Sequence, residues 1–140
     1  MNKQKGFTII ELIVVIAIIA VLAAIVLVNV TQYINKGKDA AIKGNLASIM
    51  TNAAVYFSDN SSEHGADFLL TTPVTSAESA ITTAGGTPVH NGSATTQEWC
   101  ACSPLKVTST TVFCVDSRGV KEETVASTCA AQCPAAGACQ

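Results

Sequence analysis

Residues 7–30 read FTIIELIVVIAIIAVLAAIVLVNV, and after one acid, Glu11, the run 12–28 contains no charged or polar side chain. At about 1.5 Å of rise per helical residue, this stretch is long enough to cross a hydrocarbon layer roughly 30 Å thick. Its many Ile and Val side chains favour strands. A strand in lipid would leave backbone N–H and C=O groups unpaired, however, whereas a helix pairs them internally. The stretch is therefore expected to be a membrane-spanning helix. Lys3 and Lys5 precede it and no basic residue follows until Lys36, so the positive-inside bias places residues 1–6 in the cytoplasm and the remainder outside.

A secretory signal peptide has the same outline of a basic start followed by an apolar run. Three features argue against it here. The run exceeds the usual apolar region, Glu11 interrupts its beginning, and Ala23-Ala24-Ile25 offers only a poor cleavage site inside it. Beyond Val30 the helical period continues: Ile34, Ala41, Ile42, Leu46, Ile49, Ala53 and Phe57 recur near 3.6 residues, with Lys36, Lys38, Asp39, Lys43 and Asn52 largely on other faces. One helix of about 50 residues, near 75 Å, is expected from Phe7 to about Phe57. It is apolar all round in its first half and along one stripe in its second. Gly37 and Gly44 are expected at bends or close approaches, and Ser58-Asp59-Asn60-Ser61 is a cluster of turn formers that ends the helix.

The junction Gly6-Phe7-Thr8-Ile9-Ile10-Glu11-Leu12-Ile13 resembles that of type IV prepilins and type II secretion pseudopilins. The resemblance covers roughly residues 1–57. It implies cleavage between Gly6 and Phe7 by a membrane prepilin peptidase, methylation of the new N-terminus on Phe7 by the same enzyme, and an assembly role for Glu11. It also implies an assembly ATPase and an inner-membrane platform protein as partners, with a helical filament of like subunits as the product. Many members carry a Gly or Pro within the membrane part of the helix, near which it unravels on assembly. This chain has neither between Phe7 and Lys36, so a more continuous helix is expected.

The role of Glu11 also has a physical basis. A carboxylate at a membrane edge costs on the order of 2.5–3.5 kcal/mol and calls for a partner, which the apolar run does not supply. Cleavage after Gly6 would create an α-amine on Phe7, and stacked subunits would bring one subunit's amine to the next one's Glu11, rewarding correct register. The alternative is an acid favoured simply by the helix N-terminus.

The distal part is rich in Thr, Ser, Ala and Gly and is too small to bury a large core alone, so the amphipathic half of the helix is expected to form one wall of it. Residues 108–115 are the most strand-like. The turn Asp116-Ser117-Arg118-Gly119 and a second strand at 120–125 complete a hairpin. A shorter strand is expected at 98–102. Residues 68–92 show little periodicity beyond a short helix near 77–82, and Ala84-Gly85-Gly86-Thr87 reads as a turn. The fold expected is α+β: a long helix, membrane-spanning in its first half and packed by its second on a small antiparallel sheet, as in pilins. The chain then divides into a leader (1–6), a transmembrane or filament-core helix (7–30), its amphipathic continuation (31–58) and a small disulfide-bonded head (59–140).

Cys100, Cys102, Cys114, Cys129, Cys133 and Cys139 all fall in the head, on the exported side, which points to as many as three disulfides among fifteen complete pairings. On a strand, Cys100 and Cys102 would share a face, favouring separate partners over a mutual bond. Cys114 is expected to join the 129–139 tail. Zinc is the rival reading, but Cys100-Ala101-Cys102 is too tightly spaced and the tail lacks a second knuckle or a His. Trp99, beside Cys100, is expected to pack against the disulfides rather than to anchor a surface contact.

Nothing in the chain supports catalysis. His64 lies in an expected loop and His90 in the turn-like Pro88-Val89-His90-Asn91-Gly92, neither with a positioned nucleophile or ligand cluster. Asp116, Glu122 and Glu123 suit hairpin solubility better than calcium, no glycine loop for phosphate is present, and no cofactor is expected. The net charge is −2, and loss of Lys3 and Lys5 leaves six basic and ten acidic side chains. Nucleic acid is therefore an unsupported partner, with Lys106, Arg118 and Lys121 the nearest basic candidates. The expected function is that of a pilus subunit, anchored in the lipid bilayer as a single-pass precursor and carried to the cell surface on assembly. The alternatives are a pseudopilin of a type II secretion or DNA-uptake system and a single-span anchor carrying a disulfide-bonded binding head.

Overall fold

The computed structural model describes residues 6–60, 65–93, 98–125, 128–134 and 137–140, without the side chains at 28, 65 and 66. Residues 1–5 of the leader, and His64, lie outside the described residues. The chain separates into two units, Met1–Ile34 and Asn35–Gln140. Helix α1, Ile9–Asp59, contributes to both without interruption.

In the first unit every described side chain of α1 is exposed, whichever face it occupies. Ile16 at 57% and Val21 at 61% are typical. Among the described residues this is the one helix long and apolar enough to cross a membrane. Its few polar side chains bond back to its own backbone, Asn29 Nδ2 donating to the Ile25 carbonyl (3.2 Å) and Thr31 Oγ1 to that of Leu27 (3.1 Å).

The second unit is built on the amphipathic part of α1. Ile42, Leu46, Ile49 and Ala53 follow one another at spacings of four, three and four residues, placing them on one stripe, and all are buried. They meet a four-stranded antiparallel meander in the order β1 (Val89–Gly92), β2 (Trp99–Pro104), β3 (Thr111–Asp116), β4 (Lys121–Val125). Trp99 and Ala101 of β2 and Phe113 and Val115 of β3 join the stripe in one core with Phe68, Val74 and Ile81. The last three come from α2 (Gly65–Leu69) and α3 (Thr72–Thr83). Helix α3 starts with Pro73 in its first turn and ends in a Schellman arrangement: Gly86 N–H bonds to the Ile81 carbonyl and Gly85 N–H to that of Thr82, with Gly85 at φ +90°. The buried carboxylate of Asp39 accepts from the backbone N–H groups of Lys106 and Val107 and so pins the β2–β3 loop to α1.

Several local expectations are corrected. Residues 68–92 hold α2, a longer α3 and strand β1, and Val89–Gly92 is a strand because it pairs with β2, His90 opposite Ala101 and Asn91 opposite Cys100. Strand β2 extends to Pro104, and β3 begins only at Thr111, after a turn closed by Thr111 N–H to Thr108 O. Gly37 and Gly44 face open space within a continuous helix, so neither permits a close approach.

Candidate functional site

Two regions carry the residues singled out above. At the start of α1, Gly6, Phe7 and Thr8 precede the first helical residue, and Phe7 is 89% exposed. Thr8 caps the helix. Its hydroxyl accepts from the Glu11 backbone N–H (3.3 Å), while Glu11 Oε2 accepts from both the Thr8 backbone N–H and the Thr8 hydroxyl (2.8 Å each). This is a capping box, in which two otherwise orphaned N–H groups are satisfied reciprocally. It holds the Glu11 carboxylate within one helical turn of the Gly6–Phe7 bond. Thr8 is the residue that reading the chain missed, although the pattern Thr-x-x-Glu was present.

The second region is the outer face of the sheet. Side chains alternate along a strand, so with Trp99 and Ala101 turned to α1, Cys100 and Cys102 face away from it. The register sets Cys114 opposite Cys102 and Asp116 opposite Cys100. Three disulfides join this face to the tail: Cys100–Cys133, Cys102–Cys129 and Cys114–Cys139, with Cα separations of 5.6, 5.9 and 6.2 Å. No cysteine remains free. All six sulfurs gather in one buried cluster flanked by Val89 and Val120. The tail contributes α4 (Cys129–Gln132), capped by the Thr128 hydroxyl. Trp99 belongs to the α1-facing core, its ring centroid 5.3 Å from that of Phe68, and not to the disulfide layer. Adjacent residues on a strand point to opposite layers, and that corrects the expectation drawn from its neighbour Cys100.

Asp116 ties this layer to the hairpin turn. Fully buried, its Oδ1 accepts from the backbone N–H groups of Arg118 and Val120, and its Oδ2 from Arg118 Nε, Arg118 Nη2 and the Cys139 N–H. Arg118 Nη2 also reaches the Cys139 carbonyl at 3.0 Å. The other acids are used separately, Glu123 pairing with Lys43 and Glu78 with His90. Among the described residues no group of three or more His, Cys, Asp or Glu side chains is placed to hold a metal ion. Of the basic residues, Arg118 is matched by Asp116, while Lys106 lies beside Gly85 and Lys121 is exposed on β4.

Residues 1–27 match the family model described as a prokaryotic N-terminal methylation motif. The chain is also 46% identical over 48 residues to a type IV major alpha-pilin of Moraxella bovis. The N-terminal segment thus carries a prepilin-type methylation motif, and part of the chain is similar to a type IV pilin. The aligned segment makes up 34% of this chain and 30% of that pilin, so the likeness falls well short of the relative's full length. No solved structure matches the chain significantly. The pilin-like architecture rests on the helix and sheet described above, and the likeness to a pilin agrees with a structural rather than a catalytic protein.

Proposed function

We propose that the chain is a structural subunit of a type IV pilus, cut between Gly6 and Phe7, methylated on Phe7, and polymerised through the apolar half of α1. The observation that carries this reading is an apolar helix exposed on every face, headed by the Thr8–Glu11 box beside the cleavage junction. Such a surface is stable against lipid before assembly and against like helices afterwards. Before assembly, Glu11 caps its own helix. In the filament, the Phe7 amine of a neighbouring subunit replaces that internal partner and sets axial register. The prepilin peptidase and methyltransferase, an assembly ATPase and inner-membrane platform proteins supply the processing and the work. The precursor is single-pass, with its leader cytoplasmic and its head outside, and the assembled subunit lies at the cell surface.

Intact and N-terminal peptide masses from sheared extracellular material and from membranes test this. A chain beginning at methylated Phe7 in the sheared fraction, with all six cysteines oxidised, is the expected result. The same chain found only in membranes would identify a pseudopilin of a secretion or DNA-uptake system. Retention of residues 1–6 in every fraction would leave a plain single-span anchor.

A further inference from the structure

Two surface features of the head lie on opposite flanks of the buried stripe of α1: an apolar groove edged by a half-exposed guanidinium, and an exposed turn that carries an acid and a large apolar side chain. The first is an open groove of about 570 Å³ between α1 and the β3–β4 turn. Its helix wall is apolar apart from Thr51, with Met50, Ala54 and Phe57 at spacings of four and three residues, and its other wall is Ser117 to Gly119. Trp99 lines it as well, with an indole N–H that is buried and has no partner among the described residues. The polar side of the groove is donor-rich. Both Asp116 oxygens are already saturated beneath the surface, and the half-exposed Arg118 guanidinium is what turns outward.

The second feature is the end of α2. Phe68 and Leu69 turn into the core at 1% and 3% exposure, which leaves Asp67 exposed and Leu70 75% exposed. The Leu70 N–H bonds to the Asp67 carbonyl at 3.1 Å, so one closed turn presents an acid and a large apolar side chain together. Of the α1 residues beside α2 and α3, Asn52, Val55 and Asp59 lie on the flank of the stripe away from Met50, Ala54 and Phe57.

We propose that the Asp67–Leu70 knob of one copy seats in the groove of a second copy, with Leu70 against Met50 and Phe57 and Asp67 facing Arg118. Knob and groove occupy different surfaces of the same chain, so the contact is heterologous and, where its rotation does not close into a ring, extends along a helical filament. It rests on the filament reading and adds a head-to-head contact to the packing of apolar helices. Because Leu70 is largely exposed, it contributes little to the fold of its own head, and its removal reports on the contact itself.

The test uses the full chain. Leu70→Ser is expected to lower the yield of sheared fibre while leaving unfolding of the head unchanged. Full fibre yield from this variant overturns the proposal. In parallel, a photoreactive benzoylphenylalanine is placed at position 70, and in a separate variant at position 57, and sheared fibres are irradiated. Crosslinks from position 70 to the peptide holding Met50 and Phe57, and from position 57 to the peptide holding Asp67 and Leu70, are expected. Fibres whose crosslinks fall elsewhere from both positions overturn it. The unsubstituted chain is run alongside: if it makes no fibre, the filament reading itself fails and this contact fails with it.

Discussion

Between Ile9 and Ile34 helix α1 exposes every described side chain, whereas between Ile42 and Ala53 it buries four apolar residues to 2% exposure or less. The first stretch is the more hydrophobic of the two. Apolar content alone therefore does not bury a helix face; a partner does, and among the described residues only the second stretch has one. The head solves the problem of a small core with two unlike layers on one sheet, an apolar helix face on one side and three disulfides on the other. The N-terminal stretch leaves its burial to whatever surrounds it, as lipid would.

This contrast predicts that damage in one region stays there. The largest effect is expected from Trp99→Ala, which empties the centre of the head core and should cost about 3–5 kcal/mol. Hydrogen exchange should show lost protection in β2 and β3, with residues 9–34 unchanged in lipid or detergent. Loss of protection there as well would show that the regions are coupled. Ile18→Lys should do the reverse, costing about 2.5–3.5 kcal/mol in a membrane. Membrane retention should fall while denaturant unfolding of the head, followed through Trp99 fluorescence, keeps its midpoint.

Paired removal of Cys114 and Cys139 by serine should lower head stability by about 2–4 kcal/mol, read as an earlier midpoint of the same fluorescence transition. The smallest effect separates two glycines. A Cβ at Gly86 would lie 2.6 Å from Ser103 Oγ and 2.7 Å from Ile81 Cγ2, so Gly86→Ala should destabilise by about 1–3 kcal/mol. Gly37 faces open space inside α1, and Gly37→Ala should stabilise by up to about 1 kcal/mol. Equal effects at the two positions would contradict the packing described.

Legibility followed the same division. The long helix and the β3–β4 hairpin were readable because their periods run over enough residues, and the N-terminal motif because it is one contiguous pattern within residues 1–27. Helix α3 was largely hidden: Val74, Ala77 and Ile81 are its only buried residues in a Thr- and Ser-rich segment. Strand β1 was hidden because Val-His-Asn-Gly has turn chemistry, and only pairing with β2 makes it a strand. Strand β2 showed no alternation to read, since Trp99 to Ser103 are buried on both faces. For that reason the side taken by Trp99 could not be inferred from its neighbour. The pairing of the cysteines depended on a register, Cys102 opposite Cys114, that no local pattern encodes.

The disulfide layer also bears on how the head would respond to a mechanical load. Cys133, Cys129 and Cys139 are each bridged back onto β2 or β3. Tension entering through α1 therefore cannot draw the stretch from Cys100 to Cys139 out into an open chain. Extension is confined to the segment between α1 and β2, and drawing it out fully parts Ile42, Leu46 and Ile49 from the sheet. A head built this way lengthens by parting from its helix, while its distal half stays tied to β2 and β3 by the three bridges.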